Sequence, residues 1–286
     1  MTLRVLVSGS SGFIGRQLVA RLRQQNHEVF ELSRSGAGEN SFHWDPDKQE
    51  LDEAALTGMD VVIHLAGENI ASGRWTRARK ARILDSRIQG TRLLVDRMSD
   101  QEEKPSVFIS ASGVNVYEES GFLATVCREW EKEAMRATEL GIRTVCVRTG
   151  IVLDPEGGAL KKMLPAFRLG MGGPVGKGTQ AFPWISMRDL VALYLRIVED
   201  DQLHGAVNAV HPQMPSQREF AQILGRVLNR PARIPLPAAS VRLLFGQMGE
   251  ETLLADPVVQ PGILEETGHT FLDDSLESCL KSLLKA

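Results

Sequence analysis

Leu3-Arg4-Val5-Leu6-Val7-Ser8-Gly9-Ser10-Ser11-Gly12-Phe13-Ile14-Gly15 is the stretch that decides the fold. The apolar run before Gly9 reads as a buried strand, and Phe13, Leu18 and Leu22 carry the spacing of one helix face. A Gly-x-x-Gly-x-x-Gly turn between strand and helix is the junction where a dinucleotide's pyrophosphate meets free N–H groups at a helix N-terminus. Gly9 permits the tight turn, Gly12 lets backbone approach the anion, and Gly15 lets helix and strand pack closely. Ser11, Phe13 and Ile14 complete the candidate loop. The alternative is a glycine-rich turn with no ligand, which the strand before it and the helix after it argue against.

Working outward, short runs rich in β-branched residues at 29–32, 61–66, 107–110, 144–147 and 206–210 read as further strands. Helical periodicity lies between them at 75–98 and 123–137, and later at 188–198, 219–228 and 276–284. Strands alternating with helices predict an α/β fold, a Rossmann-type doubly wound parallel sheet with a smaller C-terminal substrate lobe. Residues 1–155 are expected to form the dinucleotide-binding domain. Residues 156–286 would be mainly the substrate lobe, with the helix and strand near 188–210 returning to the sheet. Gly157, Gly158, Gly170, Gly172, Gly173, Gly176 and Gly178 mark a loop-rich stretch that would shape a cleft. It ends in Phe182-Pro183-Trp184-Ile185, where Trp184 either lines a pocket or anchors a loop.

Composition narrows the partners. With 286 residues, 43% hydrophobic, 24% charged and a net charge of -3, the chain has no overall attraction to nucleic acid or an anionic membrane. The cluster Arg74, Arg77, Arg79, Lys80 and Arg82 is read as a solvated helix face. Cys127, Cys146 and Cys279 are odd in number and widely spread, which argues against a disulfide framework or a metal site and for a reducing, cytoplasmic location. The N-terminal apolar run is too short for a signal-peptide core, and no stretch approaches a membrane span.

At the end of the second strand an NAD site would place a carboxylate on the ribose hydroxyls. Here the strand ends Leu32-Ser33-Arg34, and a hydroxyl beside a planar guanidinium suits a 2′-phosphate. NADP is therefore the expected cofactor. Glu31 lies before the strand tip and does not restore the NAD reading, while Arg34 as a solvated loop arginine remains the other possibility.

Further motifs are His64-Leu65-Ala66-Gly67-Glu68-Asn69-Ile70, Arg74-Trp75-Thr76, Ser86-Arg87 and Ile109-Ser110-Ala111-Ser112. Val147-Arg148-Thr149-Gly150-Ile151-Val152-Leu153, the run from Phe167 to Pro174, and Phe182-Pro183-Trp184-Ile185 follow. Together with the glycine loop, they make nearly the whole chain resemble the extended short-chain dehydrogenase/reductases, within them the atypical "epimerase family" proteins related to nucleotide-sugar epimerases. The resemblance implies a sheet in the order 3-2-1-4-5-6-7 and a C-terminal lobe closing over the nicotinamide. It also implies that Ser33 and Arg34 hold the adenosine phosphate and that Leu65 and Ala66 line the adenine and ribose. Glu68 belongs to the same cofactor set, Arg87 contacts the cofactor from the long helix, and Val152 lies near the nicotinamide end. A homodimer through the helices flanking the sheet is a further implication.

The resemblance breaks at the chemistry. The superfamily uses a Tyr whose pKa is lowered by a Lys four residues later, with a Ser polarising the substrate oxygen. Tyr117 is followed four positions on by Gly121 and Tyr194 by Val198, and alignment of the helix around Trp130 puts Leu123 and Cys127 where Tyr and Lys would sit. Ser112 matches the superfamily serine, or else is a strand-end hydroxyl satisfied by backbone. Tyr117 is the second catalytic candidate, and Cys127 is read as a small buried apolar group. The 116–122 segment is shorter than the family pattern. Two functions stay open. One is an NADP(H)-dependent oxidoreductase or nucleotide-sugar-epimerase-like enzyme acting on an unknown small polar metabolite; the other is a non-catalytic NADP(H)-binding regulatory protein.

Overall fold

The computed structural model describes residues 2–36 and 38–285. Strand β1 (Arg4–Ser8) turns at Gly9 into helix α1 (Phe13–Gln24), and the chain returns as β2 (Glu28–Ser33), parallel to β1. Next come β3 (Ser41–Asp45), β4 (Glu50–Leu51), β5 (Val61–His64), α2 (Arg77–Ser99), β6 (Val107–Gly113), α3 (Phe122–Met135) and β7 (Arg143–Thr149). The second half holds β8 (Ile151–Leu153), α4 (Gly158–Arg168), β9 (Trp184–Ser186), α5 (Met187–Glu199), β10 (Gly205–Ala209) and α6 (Gln217–Val227). The chain ends in α7 (Ala238–Phe245), α8 (Gln247–Thr252), α9 (Ile263–Glu266) and α10 (Leu276–Leu284).

The main sheet runs β10-β7-β6-β5-β1-β2-β3-β4, with every pairing parallel except β3 with β4. Without the added β4, this is the expected order 3-2-1-4-5-6-7. Strand order reverses at β1, which pairs with β2 on one side and β5 on the other, and a crevice opens at such a switch point. Ser8 stands level with Leu32 and with His64, so the carboxyl ends of the three strands share one rim.

Alternation along buried strands sorts side chains to the two faces. Val5 and Val7 of β1 pack with Leu18 and Leu22 of α1 and with Leu190, Tyr194 and Ile197 of α5. Leu6, Val62 and Phe108 point the other way, onto Leu93, Leu94 and Met98 of α2 and Ala134 of α3. A third cluster joins α4, β9, α6 and α10 through Leu160, Phe167, Trp184, Phe220, Leu224 and Leu280.

Several elements depart from the sequence reading: the short β4, β8, β9, α7, α8 and α9 were not expected, nor were α4 and β3. Helix α4 lies inside the stretch expected to be loop: Leu160, Leu164 and Phe167 form a buried helical stripe that the flanking glycines obscure. Strand β3 was not anticipated, because Ser41, His43 and Asp45 look polar and only Trp44 is deeply buried. The strand expected at 61–66 stops at His64. There the backbone peels away, Leu65 N donating to Ser8 O, to pass tightly over Gly9, where a Cβ would come within 2.8 Å of Ala66 N. Trp184 resolves as an anchor: it is fully buried, stacks on His211 at 4.3 Å and donates from Nε1 to Gln213 O.

At the junction of β1 and α1 the constraint sits on Gly15, where a Cβ would stand 2.2 Å from Gly9 O. The clash is with backbone, so Gly15→Ala must push α1 off β1. We expect a loss of about 1–3 kcal/mol, the usual range for overpacking, in urea unfolding followed by circular dichroism. Unchanged stability would mean the helix has slack that the geometry denies.

Candidate functional site

Five connections rise from the carboxyl rim of the sheet, and each contributes to one crevice. Gly9 has φ +72°, and Gly12 N donates to Gly9 O at 3.0 Å, closing the turn. Helix α1 starts at Gly12 with no side-chain cap and no acidic residue in its first turn. Helices α2, α5, α6 and α10, by contrast, are capped by Thr76, Ser186, Ser216 and Ser275. The first-turn N–H groups of α1 therefore lack a side-chain acceptor, the condition that favours an anion. Ser11 is exposed, and Ile14 packs against the core. The Phe13 ring fills the space beside Gly157, where a Cβ would lie 2.2 Å from Cδ2, tying the glycine loop to the β8–α4 turn.

At the end of β2, Ser33 Oγ accepts from Gly36 N at 3.1 Å and lies 3.1 Å from Ser41 Oγ. Arg34 extends into solvent with a loose 3.7 Å contact to Asp47, and its carbonyl lies 2.9 Å from His43 Nδ1. Glu31 is engaged by Arg23 at 2.8 Å, on the α1 side. A ring of small and charged groups follows β5. Glu68 N donates to Ser86 Oγ, the Glu68 carboxylate meets Arg79 at 3.3 Å, and Arg87 donates to Glu68 O and Ile83 O while lying 5.0 Å over Trp130. Arg87 thus braces the loop that carries Leu65 and Ala66. Val152 pairs with Ile185 across β8 and β9.

Beneath this loop sits a residue that sequence reasoning passed over. His64 is fully buried, its Nδ1 2.6 Å from Ser8 Oγ, with Trp44 and Trp130 edge-on at 5.9 and 6.1 Å. Burial first, and the nearby Arg87 charge second, push its pKa down to about 3.

The other half of the crevice holds one connected network. Sheet register sets Ser112, Arg148 and Asn208 side by side on β6, β7 and β10. Ser112 Oγ donates to Glu131 Oε1 at 2.6 Å, and Arg148 grips the same carboxylate with both Nε and Nη2, at 2.8 and 2.7 Å. Arg148 Nη1 also donates to the Tyr117 hydroxyl at 2.7 Å, and that hydroxyl donates to Asn208 Oδ1 at 2.9 Å. Asn208 Nδ2 donates to Gln260 O, which fixes the amide's orientation. Both expected hydroxyls are therefore present, joined through Glu131 and Arg148, which the sequence reading missed. Glu131 lies one helical turn beyond Cys127, the only local hint.

Leu123 and Cys127, expected at the positions of the usual Tyr and Lys, are buried, and burial pushes the Cys127 thiol up to about 11. Cys127 is a packing residue, as its sequence context suggested. Within the basic cluster, Arg79 pairs with Glu68 and Lys80 donates to Gln247 at 3.1 Å, while Arg77 and Arg82 are exposed. Two clefts of about 780 and 660 Å3 lie elsewhere, at the end of α6 and between α1 and α5, and neither includes the glycine loop or Ser112. Among the described residues, no three His, Cys, Asp or Glu side chains could hold a metal ion, and no helix is long and apolar enough to cross a membrane.

Known proteins share this arrangement from end to end. The model of the NAD dependent epimerase/dehydratase family matches residues 5–125, and a domain of unknown function, DUF1731, matches 236–283. The Homo sapiens epimerase family protein SDR39U1 is 36% identical across 99% of this chain and 100% of its own length. The chain belongs to the epimerase family. Its bacterial relatives include the Mycobacterium bovis epimerase family protein Mb2239, 37% identical over 96% of both chains. Among solved structures, human SDR39U1 (isoform 2) with NADPH superposes with a TM-score of 0.90 at 34% identity, covering 99% of each chain. The fold is that of the extended short-chain dehydrogenase/reductases.

Two outcomes follow from the buried groups. Glu131→Ala leaves Arg148 without its carboxylate in a largely buried site and should cost about 3–5 kcal/mol in chemical denaturation. His64 stays neutral in the folded protein but takes up a proton in the unfolded chain near its ordinary value of 6.5. Its contribution is complete above that pH and is lost as pH falls toward about 3, with a slope of about 1.4 kcal/mol per pH unit. Between pH 6.5 and 5, unfolding midpoints should drop more steeply in wild type than in His64→Asn; parallel profiles would sink the assignment.

Proposed function

We propose that this epimerase family member binds NADP(H) and acts as an oxidoreductase or epimerase-like enzyme on a small polar metabolite. The observation that carries the cofactor choice is the β2 tip, where Ser33 and an extended Arg34 stand and the carboxylate just before them, Glu31, is held by Arg23. The NADPH in the human relative's structure supports the same reading. The glycine loop fits a pyrophosphate: Gly9, Gly12 and Gly15 leave no side chain between backbone and ligand, and the uncapped start of α1 supplies N–H groups. Leu65, Ala66 and Glu68 would border the adenosine half, Arg87 would hold that border in place, and Val152 would lie toward the nicotinamide. Bound NADP(H) supplies or accepts hydride.

The protein's own part is positioning and polarisation. The hydrogens of Ser112 and Tyr117 are committed to Glu131 and Asn208, so toward the crevice both oxygens can only accept. They are suited to hold a substrate hydroxyl, and a proton leaving it through Ser112 would meet the Glu131 carboxylate. A second reading, a non-catalytic NADP(H)-binding regulatory protein, draws on one observation: no tyrosine or lysine stands at 123 or 127.

Titration with NADPH and NADH, read by nicotinamide fluorescence, tests the cofactor. NADPH should bind more tightly than NADH, and Arg34→Ala should weaken NADPH by about 10- to 100-fold, the range for one charge-assisted contact, while leaving NADH unchanged. Equal affinities in wild type would overturn the assignment. Hydride exchange from NADPH across a panel of carbonyl and hydroxyl metabolites then separates enzyme from regulator.

A further inference from the structure

The C-terminal segment from α7 to residue 260 spans the mouth of the crevice and is held there largely by polar contacts, with Val259 packed on Val114 and Val210 and Leu254 against Gly176. Of residues 238–260, only Val241, Gly249 and Val259 are buried, whereas Leu243, Leu244 and Val258 are 74%, 59% and 68% exposed. Its ends are secured. Leu236 exchanges backbone hydrogen bonds with Pro174 and Gly176, and Leu264 is fully buried. Glycines with positive φ stand at 246, between α7 and α8, and at 262.

Between those ends the segment is pinned to separate parts of the rim. Arg74 donates to Leu243 O and Lys80 to Gln247, on the connection after β5 and the start of α2. Asn115 Nδ2 donates to Glu251 O at 3.1 Å, Ala181 N to Asp256 at 2.6 Å, and Asn208 to Gln260 O at 2.8 Å. The central pin is Glu251. Helix α3 begins at Gly121 with no cap of its own, and the Glu251 carboxylate accepts from Phe122 N at 3.0 Å and Leu123 N at 2.7 Å. A carboxylate on two helix N-terminal donors is a charge-assisted cap supplied from a distant part of the chain.

We propose that α7–α8 is a strap that lifts as a unit to admit and release ligand, with Glu251 as its latch on the N-terminus of α3. The physical case is the mismatch between its attachments. Little apolar area holds it, its hydrogen bonds are near solvent, and such segments open at free energies well below global unfolding. Opening uncovers the Phe122 and Leu123 amides and, through Gln260, frees Asn208 from its fixed orientation beside Tyr117. What passes beneath the strap rests on the NADP(H) reading above; the strap's motion does not.

Backbone amide exchange on the ligand-free, full-length protein reads the latch directly. In Glu251→Gln, exchange at Phe122 and Leu123 should accelerate about tenfold, the typical worth of a lost cap. The amide of Thr125, bonded to Gly121 O within the helix, should keep its wild-type rate. Asp256→Ala supplies the second arm, because Asp256 touches neither amide; if the strap lifts as a unit, Phe122 and Leu123 must again exchange several-fold faster. No acceleration in Asp256→Ala overturns the proposal, as does acceleration in Glu251→Gln that extends equally through α3. In the same variants NADPH should dissociate faster; failure to bind NADPH at all would count against the cofactor reading and leave the exchange result standing on its own.

Discussion

The approach of α1 to β1 governs everything else. Because residue 15 has no side chain, the helix starts against the carbonyl of Gly9, and its first-turn N–H groups are delivered to the rim where Ser8, Leu32 and His64 stand level. The same closeness lets Phe13 reach across to Gly157, so the first crossover and the beginning of the C-terminal half share one contact. Any bulk at that junction would disturb the anion site, the helix packing and the β8–α4 turn together.

The opposite half of the crevice is organised by charge. Glu131 and Arg148 form a pair less than one-fifth exposed on either side, gripped in two places and extended through Ser112, Tyr117 and Asn208. Leu123 and Cys127 on the same helix are buried packing residues, while the neighbouring carboxylate and guanidinium are paired. Each polar group of the network already has a fixed partner, so its geometry is set before any ligand arrives.

Much of this was legible in the sequence, and the exceptions have physical causes. The glycine loop and helices α2, α3, α5, α6 and α10 carry strong local periodicity or turn chemistry, while the sheet order came from the family resemblance. Helix α4 was hidden because Gly157, Gly158 and Gly170 surround it, although Leu160, Leu164 and Phe167 keep the helical spacing. Strand β3 escaped because one tryptophan supplies nearly all its burial. Ser112 and Tyr117 were singled out by type and position; Arg148 and Asn208 were not, since register across three strands, and not spacing along the chain, sets them beside Ser112, and Glu131 reaches them from helix α3. His64 was read only as part of a strand-end motif, and its packing between Trp44 and Trp130 reveals a neutral imidazole in the core.

The short strand β4 has a consequence for assembly. It pairs antiparallel with Trp44 and Asp45 and closes off the outer side of β3 with two residues. At the other margin, β10 lies beside α9, and the Asn208 side chain reaches out to Gln260 O. Neither border therefore offers a long row of open backbone groups, the template on which sheets from separate molecules join. Copies of this chain are thus discouraged from merging edge to edge into a continuous sheet, and any lasting association between them falls to the helical faces.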